Sequence, residues 1–142
     1  MNIFNSILAK MFLPKGYSAI TLGFISLYKN PSQKVSKRTI NHENIHKAQY
    51  VEMFFLSLPI SLLLIVCNFS ILFILLPLFS FYIWYLIEYF ISRVIRLILK
   101  KRDQIESYKS ISFEEEAYTN DKNLDYLIKR NPFSWLSYLG SL

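Results

Sequence analysis

A long apolar stretch is the feature that most restricts how this chain can fold. Residues 51–99 are almost entirely Leu, Ile, Phe, Val, Trp and Tyr, and charged side chains interrupt them at only a few positions. With 53% hydrophobic residues among 142, the chain is too apolar for an ordinary soluble domain of this size. We therefore expect a single membrane-associated domain that comprises residues 1–142.

The apolar stretch divides into two arms, each long enough to cross a bilayer. A transmembrane helix needs about 20 mostly apolar residues, and residues 48–67 and 71–90 each supply such a segment, with a short polar turn between them. We interpret residues 48–92 as a helical hairpin, with Pro59 and Pro77 as kinks inside its arms. Whether the arms cross the membrane or only dip into it is left open by the sequence.

The positive charges predict how the hairpin is oriented. All 16 Lys and Arg residues lie before the first arm or after the second. Because cytoplasmic segments are enriched in these residues, we expect both chain ends on the cytoplasmic side of an inner (cytoplasmic) membrane, so that a site on either end faces the cytoplasm. The net charge of +6 favours anionic headgroups over nucleic acid, since no basic stripe alternates with aromatic residues on a recognisable module.

Two further elements are predicted before the apolar stretch. Residues 1–13 carry apolar side chains at helical spacing, which predicts an amphipathic helix on the membrane or against the core. Residues 16–28 alternate in the manner of a strand. Because a lone strand is not stable, it must pair with a neighbouring segment or with a bound peptide. The expected fold class is therefore mainly α with a short β element.

Both histidines of the chain lie in one short motif, His42-Glu43-Asn44-Ile45-His46. Residues four apart share one face of a helix, so both imidazoles can bind the same Zn²⁺ at about 2.0–2.1 Å. Glu43 lies one step around that helix, where a carboxylate can accept a proton from zinc-bound water. We predict a helix capped by Ser36 or Thr39. The alternative is an ordinary solvated helix face. Gln49 shares the stripe of the two histidines and can line the floor of the site, although a solvated face is the simpler interpretation of this glutamine alone.

A third metal ligand would have to be a carboxylate. The two histidines are already used, and the single cysteine, Cys67, lies far along the first arm and excludes an internal disulfide. Glu52 lies six residues past His46, roughly 9 Å further along a helix at about 1.5 Å per residue, which is too far. The densest acidic patch is in residues 113–118, at the start of a polar helical segment predicted to run to about residue 129 after capping by Ser110 or Ser112.

The acidic patch carries a resemblance to a known family. Glu114, Ala117 and Tyr118 resemble the Glu-x-x-Ala-Asp element of the gluzincin metallopeptidases, in which the first glutamate is the third zinc ligand. The order of strand, motif helix and glutamate helix is also similar. The chain further resembles small uncharacterised bacterial membrane-associated proteins of this zincin-like type.

The resemblance implies a zinc ion held by His42, His46 and Glu114, with Glu116 as the reserve ligand. It also implies that Glu43 is the general base and that the segment of residues 20–28 binds substrate as an edge strand. Tyr118 stands where the family has an aspartate, so the histidine that this aspartate would orient needs another acceptor. That acceptor would be Asp121 or a backbone carbonyl.

The function expected from these features is that of a membrane-associated zinc metallopeptidase. Zinc would be its cofactor, a peptide or membrane protein its substrate, and the lipid bilayer its second partner. A different class of protein remains open, namely a non-catalytic membrane protein of the binding or immunity type with a structural metal or none. A structural site is usually closed by four protein ligands, whereas a catalytic site keeps one position open.

Overall fold

The computed structural model describes residues 1–98 and 104–140, and it is mainly helical with one small sheet, which confirms the predicted fold class. The strands and helices in chain order are β1 Asn2–Ile3, α1 Ile7–Phe12, β2 Ala19–Leu22, β3 Ile25–Tyr28, α2 Lys37–Val66, α3 Leu76–Ile98, α4 Gln104–Lys109, α5 Ser112–Asn120 and α6 Tyr126–Lys129. Short 3-10 turns occur at Ser32–Lys34, Ile71–Leu75 and Ser134–Tyr138.

The two longest helices, α2 and α3, form the hairpin. Of the two predicted caps, Ser36 is the one used, because its hydroxyl accepts a hydrogen bond from the N–H of Thr39 at 3.0 Å. From there α2 runs without a break from the histidine motif into the apolar arm and ends at Val66. Asn68 then adopts a left-handed conformation with φ of 60°. Both long helices have the length and hydropathy that crossing a membrane requires.

The two prolines of the arms occupy different kinds of position. Pro59 lies inside α2, as predicted. The prediction for Pro77 is wrong, because a 3-10 turn precedes α3 and leaves this proline in the first helical turn, where the N–H it lacks is not needed. The carbonyl of Phe73, four residues earlier, accepts a hydrogen bond from the hydroxyl of Ser61 at 2.5 Å instead.

The predicted strand of residues 16–28 is a β-hairpin rather than a single strand. Gly23 forms the turn with φ of 61°, a conformation that favours glycine. A Cβ at this position would also lie 3.3 Å from the ring of Tyr50. β2 pairs antiparallel with β3, and β1 pairs parallel with β3 on the other side. The strand order β1–β3–β2 therefore leaves β2 at an edge of the sheet.

The N-terminal segment is only partly helical, so the prediction of one amphipathic helix over residues 1–13 is wrong in its extent. Met1 and the following strand pair with β3 instead, and Asn5 has a positive φ of 55°. Ser6 then caps the short helix α1 by accepting a hydrogen bond from the N–H of Ala9 at 3.3 Å. Four apolar side chains of α1 are exposed: Ile7, Leu8, Met11 and Phe12.

The acidic segment is also shorter than predicted, because α5 ends at Asn120 and α6 begins only at Tyr126. Neither predicted serine caps α5, whose N-cap position is Ile111. The cap comes from α3, where the carboxylate of Glu88 accepts hydrogen bonds from the N–H and the hydroxyl of Ser112, each at 2.8 Å. Glu88 therefore lies at the positive end of the helix dipole.

Aromatic packing holds the start of α5 against α3, and one amide ties its other end to α2. Phe81 of α3 stacks on Phe113 of α5 with ring centroids 4.6 Å apart, and Trp135 packs edge-on against Phe113 at 4.9 Å. At the other end of α5, the side-chain amide of Asn41 donates to the backbone carbonyls of Asn120, Asp121 and Asn123 at 3.3, 3.1 and 2.9 Å. These contacts place the first turn of α5 beside the histidine motif.

Candidate metal centre

Three side chains that are far apart in the sequence converge between α2 and α5. The Nε2 atoms of His42 and His46 lie 3.1 Å apart. Glu114, in the first turn of α5, places Oε2 3.5 Å from Nε2 of His42 and Oε1 3.4 Å from Nε2 of His46. These residues are the group among the described residues that could hold a metal ion.

The spacing of the three donors fits a tetrahedral zinc site. Ligands at about 2.0–2.1 Å from a tetrahedral ion lie roughly 3.3–3.4 Å from one another. One nitrogen from each histidine and one oxygen of Glu114 lie within 4.8 Å of one another, near enough to converge on such an ion. Two imidazoles and one carboxylate also match the donor set of a catalytic zinc site. In addition, Oε2 of Glu114 is buried and has no hydrogen-bond partner. A buried carboxylate oxygen without a donor is costly, and a cation at this position would satisfy it.

Two tyrosines hold the other oxygen of Glu114. The hydroxyls of Tyr85 and Tyr108 donate to Oε1 at 3.0 and 2.7 Å. Burial alone would raise the pKa of Glu114, but the adjacent His46 and His42 outweigh burial and hold this pKa well below its usual range. Burial and the charge of Glu114 raise the pKa of Tyr108, which therefore remains a donor. The carboxylate is thus ionised, the form in which it can bind a metal.

A buried amide sets the orientation of His46. Gln49 is fully buried, and its Oε1 lies 2.8 Å from Nδ1 of His46. Its Nε2 donates to the carbonyl of Phe113 at 3.0 Å and to Oε2 of Glu116 at 2.9 Å. The expectation of a solvated glutamine is therefore wrong. Because the amide nitrogen faces two acceptors, Oε1 must accept from Nδ1–H of His46, so that Nε2 carries the lone pair whenever the ring is neutral. Burial lowers the pKa of His46, but Glu114 and Glu43 outweigh burial and raise this pKa to about 9, so a metal ion would replace a proton on Nε2.

Glu116, the reserve ligand, lies outside the group of three. Its carboxylate accepts hydrogen bonds from Tyr126 at 2.8 Å and from Nε of Arg130 at 2.5 Å. The guanidinium of Arg130 also forms a bidentate pair with Glu52, and Oε1 of Glu52 accepts from the N–H of Phe133 at 2.9 Å. Glu116 and Glu52 therefore balance a buried arginine behind the candidate centre.

His42 has a looser environment than His46. Oδ2 of Asp121 lies 3.8 Å from Nδ1 of His42, which is longer than a hydrogen bond. Asp121 is itself fixed by Nε of Arg38 at 2.8 Å, and its Oδ1 is buried without a partner. The ring of Tyr118 packs against His42 at 4.7 Å. Asp121, the predicted acceptor for a histidine, therefore approaches Nδ1 of His42 without accepting a hydrogen bond from it.

Glu43 faces the same cavity as the three donors. It is buried, and its Oε2 accepts a hydrogen bond from the hydroxyl of Thr21 on β2 at 2.6 Å. The cavity has a volume of about 680 Å³, and the edge strand contributes Ala19, Ile20 and Thr21 to its wall. An opening of this size beside an edge strand can accommodate an extended peptide.

Comparison with protein-family models, with curated proteins and with solved structures finds no match to this chain. The site is therefore described from its own geometry. The structure brings together the residues that the sequence singled out: His42, Glu43, His46 and Glu114. Sequence reasoning placed Gln49 on the stripe of the two histidines, but it missed the contributions of Thr21, Tyr85, Tyr108 and Arg130.

Proposed function

We propose that this protein is a membrane-associated zinc peptidase of the gluzincin type, with its catalytic centre at the cytoplasmic surface of a bacterial membrane. The observation that carries the proposal is the convergence of His42, His46 and Glu114 at separations of 3.1 to 3.5 Å, in a cavity shared with Glu43. The order of edge strand β2, motif helix α2 and glutamate helix α5 along the chain also supports the gluzincin resemblance.

The residues have distinct chemical tasks in this proposal. When bound, zinc supplies an activated water and polarises the scissile carbonyl. Glu43 accepts a proton from water and delivers it to the departing amine, so that the C–N bond breaks while hydroxyl is added to the carbonyl carbon. Thr21 holds the carboxylate of Glu43 in place, and Gln49 holds the imidazole of His46 in the tautomer that binds metal.

The edge strand β2 supports peptide as the substrate class. An edge strand has backbone N–H and C=O groups that another extended chain can pair with. Residues of β2 line the cavity, and Thr21 connects this strand directly to the proposed base. A peptide that adds to β2 would therefore lie along the wall next to Glu43.

A structural metal site is the alternative, and the ligand number argues against it. The candidate group in the described part of the chain contains three protein ligands, which leaves a tetrahedral ion one position for water. Asp121 is the nearest further carboxylate to His42, but its closest approach to that ring, 3.8 Å, is to Nδ1. Nδ1 is the nitrogen that does not face the other two ligands.

Zinc content tests the assignment of the metal ligands. Purified wild-type protein in detergent is expected to contain about one zinc per chain by atomic absorption. His46→Ala is expected to lose this zinc, because two remaining ligands bind it weakly. Asn44→Ala is the matched control, since Asn44 lies in the same helical turn but does not line the cavity. Equal zinc in wild type and His46→Ala would overturn the ligand assignment.

The base is tested separately from the metal. Glu43→Gln is expected to retain zinc but to cleave an unfolded fluorescent protein substrate about 10²–10⁴-fold more slowly. Cleavage at the wild-type rate would exclude Glu43 as the base. Absence of cleavage by zinc-loaded wild type against a broad peptide pool would favour the non-catalytic alternative.

A further inference from the structure

The candidate centre and the apolar arm belong to one rigid element. Helix α2 is continuous from Lys37 to Val66, so the distance between any two of its residues is set by helix geometry. Phe55, the first exposed side chain of a nearly continuous apolar surface, lies nine positions after His46. At about 1.5 Å per residue, this surface begins roughly 14 Å beyond the second histidine.

The edge strand β2 runs beside α2 in the same direction. At the centre, the hydroxyl of Thr21 contacts the carboxylate of Glu43. Past the end of the strand, the ring of Phe24 contacts Tyr50 at 5.1 Å and Phe54 at 6.2 Å. Because Glu43, Tyr50 and Phe54 follow one another along α2, β2 leads from the candidate centre towards the apolar arm.

The tip of the β-hairpin is fixed at that boundary and has an apolar surface. The N–H of Gly23 donates to the hydroxyl of Tyr82 on α3 at 2.7 Å, which ties the turn to the second arm. Along the outer side of the hairpin, Ile20, Leu22 and Phe24 are exposed. Exposed apolar side chains next to an apolar arm are typical of a surface that meets a membrane.

We propose that the substrate is a membrane-anchored polypeptide, which is cleaved in the extended segment next to its membrane span. This inference rests on the proposed function. On α2, Phe54 lies eleven residues after Glu43, or roughly 16 Å at about 1.5 Å per residue. An extended chain beside β2, at about 3.3 Å per residue, therefore passes from the level of Phe54 to the centre within about five residues. Cleavage would occur within about six residues of the span.

Anchoring also supplies binding free energy that the cavity itself does not need to provide. Strand pairing with a four-residue edge is weak on its own. A substrate held in the same membrane binds effectively as an intramolecular partner, and such tethering can raise affinity by about 10²–10⁴-fold. The protein would thus select the bond it cleaves by the distance of that bond from the substrate's membrane span.

Cleavage in vesicles tests this selection. Zinc-loaded protein is reconstituted with phosphatidylcholine and phosphatidylglycerol and is given a mixed-sequence peptide pool fused to a leucine-alanine span of about 20 residues. The same pool without the span is expected to be cleaved about a hundredfold more slowly. A Gly-Ser spacer of about 20 residues between span and pool should cause a similar loss, and Glu43→Gln should slow cleavage of both forms about 10²–10⁴-fold.

Comparable cleavage of anchored and free pools, or no effect of the spacer, would overturn the inference while leaving the proposed hydrolysis intact. Cleavage of neither form would overturn the hydrolysis. Docking is therefore also measured without catalysis, in a Glu43→Gln protein that carries Leu22→Cys and Cys67→Ser. Disulfide cross-linking to single-cysteine anchored peptides should peak within about four residues of the span, a distance set by strand geometry. Equal yields along the peptide would contradict the proposed docking.

Discussion

The imidazole of His46 is held by a chain of buried polar groups that extends away from the candidate centre. Gln49 accepts from Nδ1 of the histidine, Glu116 accepts from Gln49, and Arg130 donates to Glu116. Partners of this kind orient metal-binding histidines and make them more basic. The amide of Gln49 is therefore part of the proposed metal centre even though it does not contact the ion.

Replacing Gln49 is expected to weaken zinc binding without removing a ligand. Gln49→Leu leaves Nδ1 of His46 without its acceptor and should lower zinc affinity about 10–100-fold, measured by competition with a coloured chelator. Ser61→Ala is the matched control, because Ser61 is equally buried on α2 but bonds to Phe73 in the apolar arm. Equal zinc affinity in wild type and Gln49→Leu would show that the amide has no role in positioning.

The parts of the centre that the sequence predicts are those set by local geometry. The positions of His42, Glu43 and His46 follow from the helical repeat alone. Thr21 and Tyr85 could not be found in this way, because their contacts join residues 22 and 29 positions apart and depend on how separate elements pack. Glu114 was found only through its resemblance to a family element.

At the scale of elements, the first turn of α5 depends on a helix far away in the sequence. Its N-cap, Ile111, has no side chain that can accept a hydrogen bond, and Glu88 of α3 supplies the acceptor to Ser112. Trp84 also donates to Glu88 at 3.1 Å. Glu88, an acid within the apolar stretch, thus caps α5, the helix that carries Glu114.

Removing this cap is expected to destabilise α5. Glu88→Ala should cost about 1–2 kcal/mol, a typical loss for an N-cap. That loss corresponds to a fall in Tm of roughly 2–8 °C for a chain of this size, followed by circular dichroism in detergent. Glu88→Gln should lose less, because its amide oxygen can still accept from Ser112. Asp125→Ala, which changes an exposed acid, serves as the control, and an unchanged Tm in Glu88→Ala would contradict the capping role.

The fold was predictable where hydrophobic patterning is strong. The two long helices follow from runs of about 20 apolar residues. The hairpin of β2 and β3 was interpreted as one strand, although Gly23 in its middle was a turn signal. The break between α5 and α6 also had a signal, because Thr119, Asn120, Asp121 and Asn123 are turn-forming residues. What the sequence did not show is that Asn41 binds the carbonyls after α5, since this contact depends on tertiary packing.

At the scale of the whole molecule, one arginine joins the C-terminal segment to the hairpin. Arg130 is buried between Glu52 of α2 and Glu116 of α5. Replacement of one partner in a buried charge cluster leaves the others uncompensated. Arg130 therefore fixes the end of α6 to the hairpin, in addition to the packing of Trp135 on Phe113.

Arg130→Met is expected to lower the free energy of unfolding by about 3–5 kcal/mol, because two buried carboxylates lose their counter-charge. The readout is the Tm of the zinc-free protein in detergent. The triple variant Glu52→Gln, Glu116→Gln, Arg130→Met should recover part of the loss, since it removes the uncompensated charges as well. Failure of the triple variant to recover any stability would mean that packing of Arg130, rather than its charge, is what matters.

The position of the turn between α2 and α3, the tip of the helical hairpin, relative to the membrane determines where the candidate centre lies. From His46 to Val66, α2 extends for 20 residues, or about 30 Å, which is the thickness of the hydrocarbon core. If α2 crosses the bilayer, the tip reaches the far side and the histidines lie at the near boundary. Cys67, the single cysteine of the chain, is exposed at this tip.

Labelling of Cys67 with a membrane-impermeant maleimide in intact bacterial spheroplasts measures this position. We expect labelling from outside, because the chain has 16 Lys and Arg residues and all lie on the other side of the apolar arms. In a Cys67→Ser background, Lys10→Cys and Lys122→Cys should be labelled only after the membrane is permeabilised. Protection of Cys67 until permeabilisation would instead indicate a hairpin that only dips into the membrane, because such a tip remains below the outer surface.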